Sequence, residues 1–139
     1  MSLREALVAE LPFLRRYARA LTGSQSLGDA AVREMLEALL EAPDEFDSDK
    51  PVRAELFRIF HRLWNPEMVG TLASKGRSGV ISQFPVAMRQ SLLLTAVEGF
   101  SEAEAATILG IESDQVGALV GDARSAIEDA MSAEVLIIE

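Results

Sequence analysis

Residues 101–127, SEAEAATILGIESDQVGALVGDARSAI, constrain the fold of this 139-residue chain more than any other stretch. Ser101 and Glu104 have the spacing of a capping box, in which a hydroxyl and a carboxylate satisfy free amide protons at a helix start. Ala105, Ala106, Ile108 and Leu109 follow on the inward side, and Gly110 suits the left-handed backbone that ends a helix. Ser113 then opens a second helix with Val116, Leu119, Val120, Ala123 and Ile127 inward. Two short helices joined in this way predict a helix-turn-helix. The second helix of that motif ordinarily enters the major groove of DNA.

Of the side chains for reading DNA, only one glutamine stands on its outward face. Bases are read with Arg, Lys, Asn and Gln, and phosphates are held with Arg and Lys. The outward positions here are Asp114, Gln115, Gly117, Ala118, Gly121 and Asp122. The charge distribution points the same way. From Phe84 to Glu139 two basic residues, Arg89 and Arg124, stand against ten acidic ones, whereas the preceding residues hold eleven basic and twelve acidic. DNA affinity rests largely on neutralising phosphates, so the half that carries the helix-turn-helix is the half a duplex repels.

The rest of the chain is helical in period. Leu3, Leu7 and Val8 start a short helix, and Pro12, which lacks an amide proton, predicts a break near Leu11 and a new helix from Pro12 to Leu21. A helix over 26–41 carries the apolar stripe Leu27, Ala31, Val32, Met35, Leu36, Leu39 and Leu40. After the acidic loop Ala42–Pro51, a third helix presents Leu56, Phe57, Phe60, Leu63 and Trp64. Residues 69–83 are rich in Gly and Ser without a period and read as a linker. Pro85 then starts a helix with Met88, Leu92, Leu93 and Val97 inward, closed by Gly99. The predicted organisation is an all-α chain of two small helical units, 1–68 and 84–133, with a terminal β-strand stub at 134–139. That stub rests on the continuous apolar run Val135–Ile138; the alternative is a frayed extension of the preceding helix.

Several function classes find no support. The chain has no cysteine and one histidine, His61, set within an apolar helix, so neither a thiolate metal site nor a histidine base is indicated. No strand precedes a Gly-rich phosphate loop, and the acidic run Asp44–Asp49 lacks the glycine and terminal glutamate of a calcium loop. We expect no enzyme, metal or cofactor. No segment reaches the apolar length of a membrane span, which together with the missing cysteines fits the cytoplasm. Arg15, Arg16 and Arg19, echoed by Arg53, Arg58 and Arg62, read as a solvated stripe paired with Glu34, Glu37 or Glu55, or else as a contact for an acidic partner. The large apolar residues are more numerous than so small a first unit needs, which leaves some for a groove that takes a partner helix.

The plan of two helical units, a linker and a C-terminal helix-turn-helix resembles an extracytoplasmic-function sigma factor, with the first unit similar to region 2 and the last to region 4. More specifically, LPFLRRYARALTGS (Leu11–Ser24), GDAAVREMLEALL (Gly28–Leu40), LFRIFHRLW (Leu56–Trp64), RQSLLLTAVEGFSEAEAATILGI (Arg89–Ile111) and VLIIE (Val135–Glu139) resemble the sigma-like half of the alphaproteobacterial response regulators of the PhyR family. The resemblance spans essentially the whole chain, and it places the start of a receiver domain at the terminal strand. It implies a sigma-factor mimic that sequesters the anti-sigma factor NepR under phosphorylation control, freeing the general stress response sigma factor. It also implies an intramolecular receiver as a second partner and no direct DNA binding. The competing reading is a DNA-binding sigma factor. The surface expected to take NepR comprises Leu36, Leu39, Phe57 and Phe60 from the first unit and Val116, Leu119 and Val120 from the second.

Overall fold

The computed structural model describes residues 3–64 and 84–138; the expected linker at 69–83 lies outside them. Among the described residues there are six α-helices and no strand. The first, α1 (Leu3–Thr22), runs through Pro12 without the expected break. Pro12 deprives the helix of one amide donor and crowds the carbonyl of Val8. Pro12 and Val8 both lie on the exposed side, where water can take the freed carbonyl, while Leu7, Leu11 and Leu14 hold the other side against the core.

Gly23, at φ 74°, turns the chain into α2 (Gln25–Glu41), which starts where the Leu27 amide donates to the Ser24 hydroxyl at 3.2 Å. The two helices then touch backbone to backbone. A Cβ on Gly28 would sit 2.6 Å from the amide nitrogen of Arg19. Only glycine fits without separating the pair. The acidic loop contains a single 3-10 turn (Pro43–Glu45) and buries Phe46. It is tied to α3 (Val52–Leu63) by the Asp47 amide, which donates to Glu55 at 2.7 Å.

Helix α4 (Val86–Leu92) widens into a π-helical segment, Leu93–Val97. The wider turn changes which side chains face inward. Leu94 is fully buried, whereas Val97, expected inward, is 48% exposed. Gly99, at φ 79°, ends the segment. The capping box of α5 (Glu102–Leu109) forms as the spacing predicts: the Glu104 amide donates to the Ser101 hydroxyl at 3.1 Å, and the Ser101 amide to the Glu104 carboxylate at 3.0 Å. Gly110 closes α5 in the left-handed region, and α6 (Ser113–Ile138) follows.

The expected strand at 134–139 is corrected by α6, whose helix continues through Val135–Ile138. A strand leaves its backbone donors and acceptors to a neighbouring strand. Among the described residues none is available, and the helix satisfies those groups internally.

The main core is shared by both halves. Leu14, Tyr17, Leu21, Met35, Leu39, Leu56, Phe57 and Phe60 belong to the same apolar cluster as Leu93, Leu94, Phe100, Ala105, Ile108 and Val116. A smaller cluster of Phe84, Leu92 and Ala123 ties α4 to α6. Among the described residues, no helix is long and apolar enough to cross a membrane.

Candidate partner surface and the seam between the halves

Much of the surplus of aromatic and leucine side chains in the first half is buried inside the chain, part of it against the second half. Phe57 is 0% exposed and packs edge-on against Phe100, with 5.2 Å between centroids. Phe60, Leu39, Val116 and Val120 are buried as well. Of the seven residues expected to take a partner, Leu36 and Leu119 alone are half-buried, with part of their surface open to solvent. Two concavities adjoin these groups. One, of about 180 Å³, lies between α2 and α3 and is lined by Leu27, Ala31, Met35, Phe60 and Trp64. The other, of about 370 Å³, is lined by Phe100, Glu102, Gly117, Val120 and Gly121. Phe60 therefore borders one groove and Val120 the other; the seven do not form one continuous exposed patch. Leu40, in the apolar stripe of α2 but 81% exposed, was not among them.

Charge ties the seam in addition to the shared apolar cluster. Glu98, just beyond the π-helical segment, has a side chain that is 0% exposed. It accepts two hydrogen bonds from Arg16 of α1, from Nη2 at 2.8 Å and Nε at 3.1 Å, a bidentate pairing. It accepts a third from Arg53 Nη2 of α3 at 3.0 Å, and the same nitrogen donates to the Glu98 carbonyl at 2.9 Å. The Arg53 guanidinium lies over the rings of Phe13 and Phe100, at 4.9 and 5.2 Å from their centroids, so its flat faces meet aromatic surface. The hydrogen bond to Glu98 raises the pKa of Arg16.

Two further links cross the seam. Buried Arg89 of α4 donates to the Leu21 carbonyl, in the last turn of α1, and to the Phe84 carbonyl at 2.9 Å. A cation there meets the negative end of the helix dipole. His61 of α3 lies between Tyr17 Oη at 2.6 Å and Gln90 Nε2 at 3.2 Å. Because the Gln90 amide nitrogen can only donate, Nδ1 accepts and Nε2 carries the proton toward Tyr17. Burial pushes the imidazole down to about 3 and the Tyr17 phenol well above its usual value. His61 is thus a neutral structural link. Three more arginines of the stripe pair within the first half: Arg19 with Asp29 at 2.8 Å, Arg58 with Glu55, and Arg62 with Glu45. Of the acids expected to pair with the stripe, Glu55 does so; Glu10, beside Arg53 at 3.9 Å, Asp29, Glu45 and Glu98 are the others.

The solvent face of the helix-turn-helix is as acidic as the sequence indicates. Asp114, Gln115, Ala118, Gly121 and Asp122 are exposed. Gly117 is half-buried beneath the Glu102 carboxylate, whose Oε1 lies 3.0 Å from where a Cβ would stand. Among the described residues no cluster of His, Cys, Asp or Glu has the geometry of a metal site.

A region-2-like helical half docked on a helix-turn-helix whose outward face is acidic, with Gln115 accepting from the Glu112 amide at 2.9 Å, defines a sigma-factor-like protein. The model of the Sigma2 domain of PhyR matches residues 7–61, and that of the response regulator PhyR sigma-like domain matches residues 82–130. The phyllosphere-induced regulator PhyR of Methylorubrum extorquens is 42% identical over 147 aligned residues, which take in 100% of this chain and 54% of that protein. The chain thus spans about half the length of this curated relative. The NMR structure of the PhyRSL–NepR complex from Sphingomonas sp. Fr1 superposes with a TM-score of 0.76 at 40% identity, over 93% of this chain and 88% of that one. The crystal structure of the anti-anti-sigma factor PhyR from Bartonella quintana gives 0.73 at 35% identity, over 91% and 47%. The chain belongs to the PhyR family, of which it is a sigma-like part.

Proposed function

We propose that this chain is a sigma-factor decoy that captures the anti-sigma factor NepR and thereby frees a stress-response sigma factor. The observation that carries the reading is a helix-turn-helix whose caps, turn and inward residues are intact while its outward face holds Asp114, Asp122 and Glu102 in place of phosphate-binding cations. Such a surface keeps the shape that a sigma-binding protein would recognise and discards the chemistry that a promoter requires. The complex of the Sphingomonas relative with NepR supports the same partner.

In this reading residues 1–68 act as the region-2-like unit and 84–133 as the region-4-like unit, joined by 69–83, in the cytoplasm and without catalysis. A receiver domain masks the decoy until phosphorylation shifts the population to an open form, which requires several kcal/mol of differential affinity. Leu36 and Leu119 are the members of the expected surface that reach the partner. The others support them from the core. Calorimetric titration of this chain with purified NepR tests the proposal. A saturable one-to-one complex is expected, and no detectable heat or complex at micromolar concentrations overturns it.

A further inference from the structure

We propose that Glu98 is a positioning residue: a buried clasp that holds the two halves in their partner-binding arrangement before any partner arrives. The inference rests on the NepR reading above. Three observations carry it. First, the Glu98 carboxylate is the meeting point of both halves, since Arg16 and Arg53 come from α1 and α3 and lie 82 and 45 residues away in sequence. Second, its side chain is wholly buried, while Arg16 is 51% exposed and Arg53 is 33% exposed. The guanidinium groups close over the acid from outside and touch it at the seam. Third, the Sphingomonas relative in its complex with NepR superposes over 93% of this chain with a TM-score of 0.76, a span that takes in both halves.

The physics of the clasp is asymmetric. With all three charges present, the carboxylate sits between two cations and accepts three side-chain hydrogen bonds, which offset its loss of water. Without the carboxylate, Arg16 and Arg53 of the first half lose the one acid of the second half that they share, Arg53 keeps as an acid only Glu10 of α1 at 3.9 Å, and the charged tie across the seam is gone. With the halves apart, all three groups regain water, so the seam opens without leaving a buried charge unpaired. The apolar cluster shared by the halves also holds them, so the clasp sets how large a fraction of molecules is docked and in what register. A partner that spans both halves binds more weakly when only a fraction of molecules is docked, in proportion to that fraction.

The test uses the whole chain. It contains no cysteine, so Glu37→Cys on α2 and Glu128→Cys on α6, both exposed, place two spin labels uniquely. Inter-label distances are measured in the parent, in Glu98→Gln and in Arg16→Met, alongside helix content by circular dichroism and NepR affinity by calorimetry. Arg16→Met is the milder variant, because Arg53 remains on the acid. The expected result is a broadened, lengthened distance distribution with unchanged helix content. NepR affinity should fall about tenfold if about a tenth of molecules stay docked, and the double variant should be no worse than Glu98→Gln alone. An unchanged distance distribution in Glu98→Gln overturns the clasp, and so does parent-like affinity despite separation of the halves. Additive losses in the double variant overturn it as well, because they mark direct contacts. If the parent itself fails to bind NepR, the functional reading falls, while the distances still decide whether Glu98 holds the halves together.

Discussion

Tyr17 Oη and His61 Nε2 lie 2.6 Å apart, joining α1 to α3 through a ring whose other nitrogen meets Gln90 of α4. The imidazole is neutral there, because burial holds it at about 3. A base whose folded pKa is depressed binds fewer protons than in the unfolded chain, so stability is complete above the unfolded value near 6.5 and is lost as pH falls toward 3. This is the only histidine in the chain, and carboxylates contribute little above pH 5. Urea unfolding at pH 7 and pH 5 should therefore differ by about 2 kcal/mol, from about 1.4 kcal/mol per pH unit below the unfolded pKa. His61→Gln should flatten that difference; a variant that keeps the full difference would place its origin elsewhere.

Phe57 is buried in the core, whereas Leu36 is half-buried. Phe57→Ala empties a site that is 0% exposed and should cost about 3–5 kcal/mol of stability. Val116→Ala, also fully buried, should destabilise as well. Leu36→Ala and Leu119→Ala should instead lose about 1–3 kcal/mol of NepR binding with a melting temperature close to that of the parent. Paired calorimetry and thermal melts check this. If Leu36→Ala and Leu119→Ala lower melting as much as Phe57→Ala and leave binding intact, these two are core residues as well.

Gly28→Ala tests the closest approach of α1 and α2. Alanine is the better helix former by about 1 kcal/mol, so propensity alone predicts stabilisation. The new methyl would meet the Arg19 and Ala18 backbone at 2.6–2.8 Å. Forcing the helices apart should win, with a net loss of about 1–3 kcal/mol in chemical denaturation. A variant of equal or greater stability would show that the pair separates freely.

The chain should give no shift of promoter DNA at low micromolar concentration, where ordinary non-specific binding is on the order of 10⁻⁴–10⁻⁶ M. Replacing the exposed Asp114 and Asp122 with lysine should introduce weak, salt-sensitive binding. A salt-sensitive shift by the unmodified chain would count against the decoy.

Local pattern carried the second half a long way. The capping box at Ser101 and Glu104, the left-handed Gly110 and the inward Val116 and Ala123 depend on neighbours a few residues away, and each forms as the spacing predicts. The scarcity of DNA-reading side chains is likewise a property of the letters themselves. The resemblance to the PhyR family, legible in those same stretches, is matched by the family comparisons.

What tertiary structure decided is where non-local partners are. A surplus of apolar residues on α2 and α3 looks the same in sequence whether it faces a partner or the rest of the chain; Phe57 turns out to face Phe100, while Leu40 stays 81% exposed. Glu98 reads only as the end of a helix until folding brings Arg16 and Arg53 to it. Pro12 breaks a helix in isolation, yet α1 continues because packing holds one side and water serves the other. The run Val135–Ile138 has strand composition but becomes helix, because a strand needs a neighbour and a helix closes its own hydrogen bonds. Period and caps are set by residues a few positions apart. Burial and charge pairing are set by whichever surfaces the fold brings into contact.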